Sequence, residues 1–477
     1  MAVISGDEYK QRIDRLQSDV WITGKKIEGP ISRHPAFKGA IQSQSELYDL
    51  QKTPDYCDVF IHTDESGRSF GTSYLIPKSL TDLAKKRKMV QMRARHTGGL
   101  MGRSPDYMNT VLAAFRSSVH ILEGEENCFP ENIVKLYERA TEHDFSFTHT
   151  FINPQNNRSL LAFIDDDQPN ARVIDRTDEG IVVHGAKLLA TQGGMTDEII
   201  VFSPPGVVDQ SQAFAFSIPS DTKGLTFVCR KSFTGNGSGF DSPLSTRFDE
   251  MDSLVMFDHV VVPWERVFYY DNNKVANDFF TASSFAPFTL HQIVSRQVVK
   301  TEFVLGIARL IVDSINISEY EHVQTKMTEI IKGLECARAL LIQSEVEAEK
   351  DERGVMIPGC GPLYVAVNLF QDTYPRFAEI IQILGASGMV CLPDEGQFDS
   401  PIGEDLSRYM KGCDIGGKER VHLFNLAADL CMSQFGSRQT LYERFFFGDP
   451  VRLSKTIYQA YNFDGYKTFA KSFLERE

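Results

Sequence analysis

Apolar and polar positions change their rhythm twice along the chain. Residues 1–149 read as mostly helical. In EYKQRIDRLQSDVWI, apolar residues fall at Ile13, Leu16, Val20 and Trp21, a helical spacing. A stretch containing Pro and His, GPISRHPAFKGA, interrupts before SELYDLQ resumes. The clearest helix follows LMGRSPDYMN. There Ser104 suits an N-cap, Pro105 the first helical position and Asp106 the first turn, and Met108, Val111, Leu112, Phe115 and Val119 form an apolar stripe.

Between residues 150 and 275 the runs shorten and become rich in β-branched residues: ARVID, GIVVHGAKLLAT, DEIIVFS, QAFAFSI, LTFVC and LVMFDHVVV. Turn residues separate them (DRTDEG, PSDTKG, TGNGSG), which predicts an antiparallel sheet or small barrel. Strands and helices do not alternate here as in a doubly wound nucleotide-binding domain. From 276 to 477 long amphipathic segments return. LHQIVSRQVVKTEFVLGIARLIVDSI, HVQTKMTEIIKGLECARALLIQSEVEAEK, VAVNLFQDTYPRFAEIIQILGA and ERVHLFNLAADLCMSQFG predict a four-helix bundle followed by a tail. The expected fold is α+β, in the order helical, β, helical bundle.

Charge and composition narrow the partners. The 477 residues carry a formal net charge of −14, which argues against nucleic acid. The nearest basic run, KKRK at Lys85 to Lys88, reads as a solvated turn or helix end. The eight cysteines are scattered without a C-x-x-C pair, so they are expected to be reduced and mostly buried, in a cytoplasmic protein without a metal centre. The N-terminus has no signal-peptide pattern, and no run reaches the roughly 18 apolar residues of a membrane span.

Candidate chemistry is dispersed. TGNGSGF, residues 234 to 240, lacks the spacing and the following helix of a dinucleotide loop and reads as a plain loop. FTHTFINPQNNRS places His149, Thr150, Asn153, Gln155, Asn156, Asn157 and Arg158 in a polar loop at the helical–β junction, suited to a polar ligand. GAKLLATQGG puts Thr191 where a strand meets a glycine pair. His291 reads as a satisfied core residue, with no triad partner in sight.

Taken in order, GGLMGRSPDYMN, THTFINPQNNR, GAKLLATQGGMTDEIIVF, HQIVSRQ and YERFFFGDP resemble the 4-hydroxyphenylacetate 3-hydroxylase family, over about residues 5 to 455. These are the oxygenase components of two-component flavin monooxygenases, with an acyl-CoA dehydrogenase-like fold. The resemblance implies that the chain binds reduced FAD made by a separate NAD(P)H-flavin reductase. With O2 it would hydroxylate a small phenol, 4-hydroxyphenylacetate-like or tyrosine-like, ortho to its hydroxyl, as a homotetramer or homodimer. It assigns catalysis and the phenolic end of the substrate to Arg103, Tyr107 and His149. It assigns the flavin to His149, Thr150, Phe151, Gln155, Asn156, Asn157, Arg158 and Thr191. Phe447, Gly448, Asp449 and Pro450 would join them, from the same or a neighbouring subunit. The loop SPPGVVDQSQ lies where the family's substrate-covering loop lies, making Ser203 a candidate for the substrate's tail. No arginine in that loop suits a carboxylate. Alternative readings are a dehalogenating or denitrating phenol monooxygenase, an acyl-CoA dehydrogenase or dehydratase relative, and a flavin-binding protein without catalysis. The dehydratase branch needs cysteines just before the G-R motif, and MRARHTGGLMGRSPDY has none.

Overall fold

A computed structural model describes residues 3–156, 169–235 and 238–474. The first helix, Gly6–Arg15, opens with a capping box in which Ser5 and Glu8 exchange hydrogen bonds. It ends sooner than the spacing predicts. Val20 and Trp21 belong to a strand, Asp19–Ile22, with Val20 and Ile22 buried and Trp21 facing out. Four residues cannot distinguish period 2 from period 3.6, and a parallel pairing with Thr226–Val228 decides for the strand.

The β region is two sheets. Six strands run in the order Lys25–Lys26, Asp19–Ile22, Leu225–Cys229, Asp252–Pro263, Gly180–Thr191, Arg172–Arg176. Four more run Val267–Tyr270, Phe214–Pro219, Glu198–Phe202, Phe147–Thr150. The sheets are mostly antiparallel as expected, with two parallel pairs, each made by a strand from before residue 151. Ile181, Val183, Val255 and Phe257 from one sheet cluster with Ile199, Val201, Phe214 and Phe216 from the other, so the sheets share one core.

Four helices, Phe285–Ser314, Glu321–Val346, Cys360–Gly385 and Gly417–Cys431, form the expected bundle. The helices Gln434–Phe445, Pro450–Ala460 and Asp464–Lys471 follow. His291 is buried in the bundle and paired with Glu345 at 2.9 Å. No helix among the described residues is long and apolar enough to cross a membrane.

Two surface expectations fail. KKRK lies inside the helix Leu80–Thr97, and its Lys86 is buried. That ammonium donates to the carbonyls of Ser73 and Leu75, and burial pushes its pKa down to about 7. Of the eight cysteines, all unpaired, only Cys431 is buried, while Cys336, Cys391 and Cys413 are exposed.

Candidate active site

Ser104 is the N-cap residue of the helix Pro105–Ser117, but its side chain makes no capping bond. Asp106 is also spent elsewhere, accepting from Gln292 Nε2 at 2.8 Å with Arg93 at 3.5 Å. The loop before the helix is held by a buried carboxylate. Glu250 accepts from the amides of Gly102 at 2.8 Å and Arg103 at 2.7 Å. The Arg103 carbonyl accepts from Gln192 at 3.0 Å and Gln44 at 3.2 Å. Both backbone groups of Arg103 are therefore clamped, which aims its side chain.

That side chain sits among aromatic rings. Its guanidinium carbon lies 4.1 Å from the centre of the Tyr107 ring, 5.5 Å from Tyr442 and 5.7 Å from Phe446. One terminal nitrogen donates to the Tyr442 hydroxyl at 2.5 Å. Its Nε is buried with no partner among the described residues. Burial works against the charge, but Tyr442, Tyr107 and Glu250 outweigh it and raise the pKa.

His149 stands beside Tyr107, ring centres 5.8 Å apart. It lies on the fully buried strand Phe147–Thr150, not in a loop, because that strand pairs in parallel with Glu198–Val201. Its ring runs nearly parallel to those of Phe151 and Phe202, 5.8 Å from each, and those two rings stack on one another at 5.1 Å. Phe280 closes on Phe202 at 5.2 Å. Burial, reinforced by the Arg103 charge, holds the imidazole pKa well below its usual value, so it is neutral at physiological pH. His149 Nδ1 is buried with no partner among the described residues. Arg103 Nε and His149 Nδ1 thus lie in one apolar cluster with no partner among the described residues, where a polar ligand could satisfy both.

Thr191 ends the strand Gly180–Thr191, opposite Asp252 on the neighbouring strand. Its hydroxyl donates to Asp252 Oδ1 at 2.8 Å. Arg438 grips both oxygens of that carboxylate, at 2.6 and 2.7 Å, and Arg230 adds 3.0 Å. The arginines outweigh burial and hold Asp252 down to about 2. An ionised Asp252 can only accept, so the Thr191 proton is committed and its oxygen offers a ligand lone pairs alone. The Thr150 hydroxyl is turned inward to the Leu188 carbonyl at 3.0 Å. Lys187, buried beneath, braces the adjoining segment through Asn153 at 2.7 Å and the Phe151 carbonyl at 3.3 Å.

The remaining candidates stand differently. Ser203 is fully buried, and its hydroxyl bridges the Gln212 carbonyl with both backbone groups of Phe214. It pins the stem of the loop in which the substrate's tail is expected. Gln155 and Asn156 are exposed, while Asn157 and Arg158 lie outside the described residues. Asp449 caps the helix Pro450–Ala460, the Gly448 carbonyl accepts from Gln371, and the Pro450 carbonyl accepts from Asn368. Phe447 reaches the Arg103 cluster through Phe446, whose ring centre lies 6.2 Å from its own. Tyr442, Glu250, Gln192 and Asp252 were not foreseen. Tyr442 lies in the YERFFFGDP stretch and Gln192 in GAKLLATQGG, whereas Glu250 and Asp252 have no local signal.

Family models confirm the ordered motifs. The model for 4-hydroxyphenylacetate 3-hydroxylase N terminal matches residues 5–269, and that for 4-hydroxyphenylacetate 3-hydroxylase C terminal matches residues 276–475. A probable 4-hydroxyphenylacetate 3-monooxygenase of Bacillus subtilis (strain 168) is 52% identical, with 100% of this chain and 99% of that one covered. The 4-hydroxyphenylacetate 3-monooxygenase oxygenase component of Thermus thermophilus is 41% identical over 99% of this chain and 97% of its own. A crystal structure of such an oxygenase component, complexed with FAD and 4-hydroxyphenylacetate, superposes with a TM-score of 0.94 at 40% identity, covering 99% and 98% of the two chains.

Proposed function

The chain belongs to the 4-hydroxyphenylacetate 3-hydroxylase family, and on that footing we propose that it is the oxygenase component of a two-component monooxygenase. It takes reduced FAD from a separate NAD(P)H-flavin reductase and uses O2 to hydroxylate a phenol ortho to its hydroxyl. The observation that carries this reading is the Arg103–Tyr107–His149 cluster with its two unpartnered polar atoms.

Ring hydroxylation by an electrophilic oxygen needs an electron-rich ring, so the phenol should be held at or near phenolate. Arg103 supplies the positive charge, with the N-terminus of the helix Pro105–Ser117 next to it in sequence. His149 is too poor a base to keep the proton, because Arg103 and burial oppose its charge. It accepts a hydrogen bond from the phenol at Nδ1, while the Arg103 charge stabilises the negative charge that builds on the phenol oxygen. Tyr107 orients that same end.

The residues around Thr191 suit a flavin. Reduced FAD, once it has met O2, supplies the electrophilic oxygen. Thr191 offers it an acceptor, and the ring wall of Phe151, Phe202 and Phe280 keeps water out. We also place the enzyme in the cytoplasm, in keeping with its unpaired cysteines. A homotetramer or homodimer would cover the apolar residues that its C-terminal helices expose, Val451, Tyr458 and Phe469 among them.

The test supplies reduced FAD through any flavin reductase, with oxygen and a panel of phenols beginning with 4-hydroxyphenylacetate. Catechol formation is expected. Folded protein that yields no hydroxylated product from any phenol would refute the reading. Release of chloride or nitrite from substituted phenols would instead assign it to that branch of the fold.

A further inference from the structure

On the outer surface of the six-stranded sheet, two imidazoles and a carboxylate converge for a reason set by the strand register. Gly185 pairs with Phe257, and Val183 with Val260. Between them one residue, His184, faces two, Asp258 and His259. This is a β-bulge, which re-aims side chains that a regular ladder would send to opposite faces. His259 adopts φ +52°, a left-handed conformation uncommon for a residue with a side chain.

The bulge is fixed from both sides. The Asp258 amide donates to the Gly224 carbonyl at 2.9 Å, and a Cβ on Gly224 would lie 2.5 Å from the Asp258 carbonyl oxygen. Gly185, at φ +114°, passes so close to Asn170 that a Cβ would also lie 2.5 Å from a carbonyl oxygen.

The result is a compact donor set. The ligating atoms of His184, Asp258 and His259 all lie within 4.8 Å of one another. Asp258 Oδ1 is 2.8 Å from His259 Nδ1 and 3.7 Å from His184 Nδ1, and the two imidazole centres are 4.5 Å apart. Ligands of one ion at about 2.0–2.1 Å sit roughly 3.3 Å apart. All three side chains are exposed and need only rotate by that difference.

We propose that His184, Asp258 and His259 form a surface site for a divalent transition-metal ion, with water completing the shell. Two imidazoles and one carboxylate select borderline ions such as Zn²⁺ or Ni²⁺ over Ca²⁺ and Mg²⁺, which take all-oxygen shells. The ion would cross-brace the two strands that carry Thr191 and Asp252 further along the same ladder. Its role is structural and separate from the hydroxylation.

Ni²⁺ is the probe, because the exposed thiols of Cys336, Cys391 and Cys413 compete for Zn²⁺. Untagged full-length protein, stripped with chelator, is titrated calorimetrically with Ni²⁺. Wild type is expected to bind one more Ni²⁺ per chain than the His184→Ala/His259→Ala double variant. Each single variant should weaken that site at least about tenfold. Ni²⁺ should raise the melting temperature of wild type and not of the double variant. Equal stoichiometry and affinity in wild type and double variant would overturn the proposal, as would a wild type that binds no Ni²⁺. The double variant should keep full hydroxylase activity, which shows that it is folded and separates this test from that of the proposed function.

Discussion

The Arg103 guanidinium donates to the Tyr442 hydroxyl at 2.5 Å across 339 residues of sequence, joining the loop before the helix Pro105–Ser117 to the helix Gln434–Phe445. Tyr442 thereby decides where the charge of Arg103 rests. A bond to a charged donor contributes about 1.5–3 kcal/mol. Tyr442→Phe should therefore weaken phenol binding about tenfold while leaving reduced-FAD binding within about twofold. Arg103→Ala, which removes the charge itself, should cost on the order of a hundredfold in phenol affinity. Separate titrations of phenol and reduced FAD check both, and equal losses for the two ligands would contradict the assignment.

Thr191 leads to a prediction about redox state. Its proton is fixed on Asp252, so it favours a ligand that donates at that point. Reduced flavin carries a ring N–H that oxidised flavin lacks. Thr191→Val should lower affinity for reduced FAD by roughly tenfold, the worth of one hydrogen bond in a dry site, and change oxidised FAD little. Thr191→Ser should preserve the wild-type ratio. Anaerobic titration with both redox forms reads the ratio directly.

His149 predicts a pH dependence of stability. Its folded pKa lies well below 6.5, so below that pH the unfolded chain binds a proton that the folded chain refuses. This contribution is constant above about pH 6.5 and falls as pH drops beneath it, by at most about 1.4 kcal/mol per pH unit. Urea unfolding at pH 7.5, 6.5 and 5.5 should show a shallower slope for His149→Gln than for wild type. His291, also buried and lowered, stays in both proteins and cancels from the comparison.

How much of this was legible in the sequence depended on whether the deciding contact was local. The bundle helices were legible because each carries its own period over many turns. The strand at His149 was not, because a four-residue run with three polar members looks like a loop until Glu198–Val201 pairs with it. Lys86 looks solvated in the sequence because three neighbours share its charge, whereas the helix turns that one position onto the carbonyls of Ser73 and Leu75. Glu250 and Asp252 acquire their meaning only when Gly102, Arg103, Thr191 and Arg438 arrive from distant segments. Resemblance supplied Arg103, Tyr107 and His149, but not the groups that hold them.

Glu443 anchors the helix that carries Tyr442. It is fully buried, grips Arg296 at 2.7 and 3.0 Å and Lys300 at 2.8 Å, and is held down to about 2 by those cations against its burial. Glu443→Gln leaves two buried cations without a countercharge. A loss of about 3–5 kcal/mol is expected, measured by urea unfolding. Losses below about 1 kcal/mol would mean that water or rearrangement reaches the pair.

Gly102 tests the same tyrosine from the opposite side. A Cβ there would lie within 3 Å of three Tyr442 side-chain atoms, the hydroxyl oxygen, the ring carbon that bears it and a neighbouring ring carbon. Gly102 is not among the glycines with positive φ, so alanine adds little backbone strain and acts by moving the ring. Gly102→Ala should therefore reproduce the phenol-binding defect of Tyr442→Phe, at a small cost in stability. Removing the ring should remove the clash. Gly102→Ala/Tyr442→Ala is then expected to bind phenol no worse than Tyr442→Ala alone, a non-additivity that neighbouring residues show and independent ones do not. Additive losses in that cycle would mean that Gly102 acts through the Glu250 clamp and not through Tyr442.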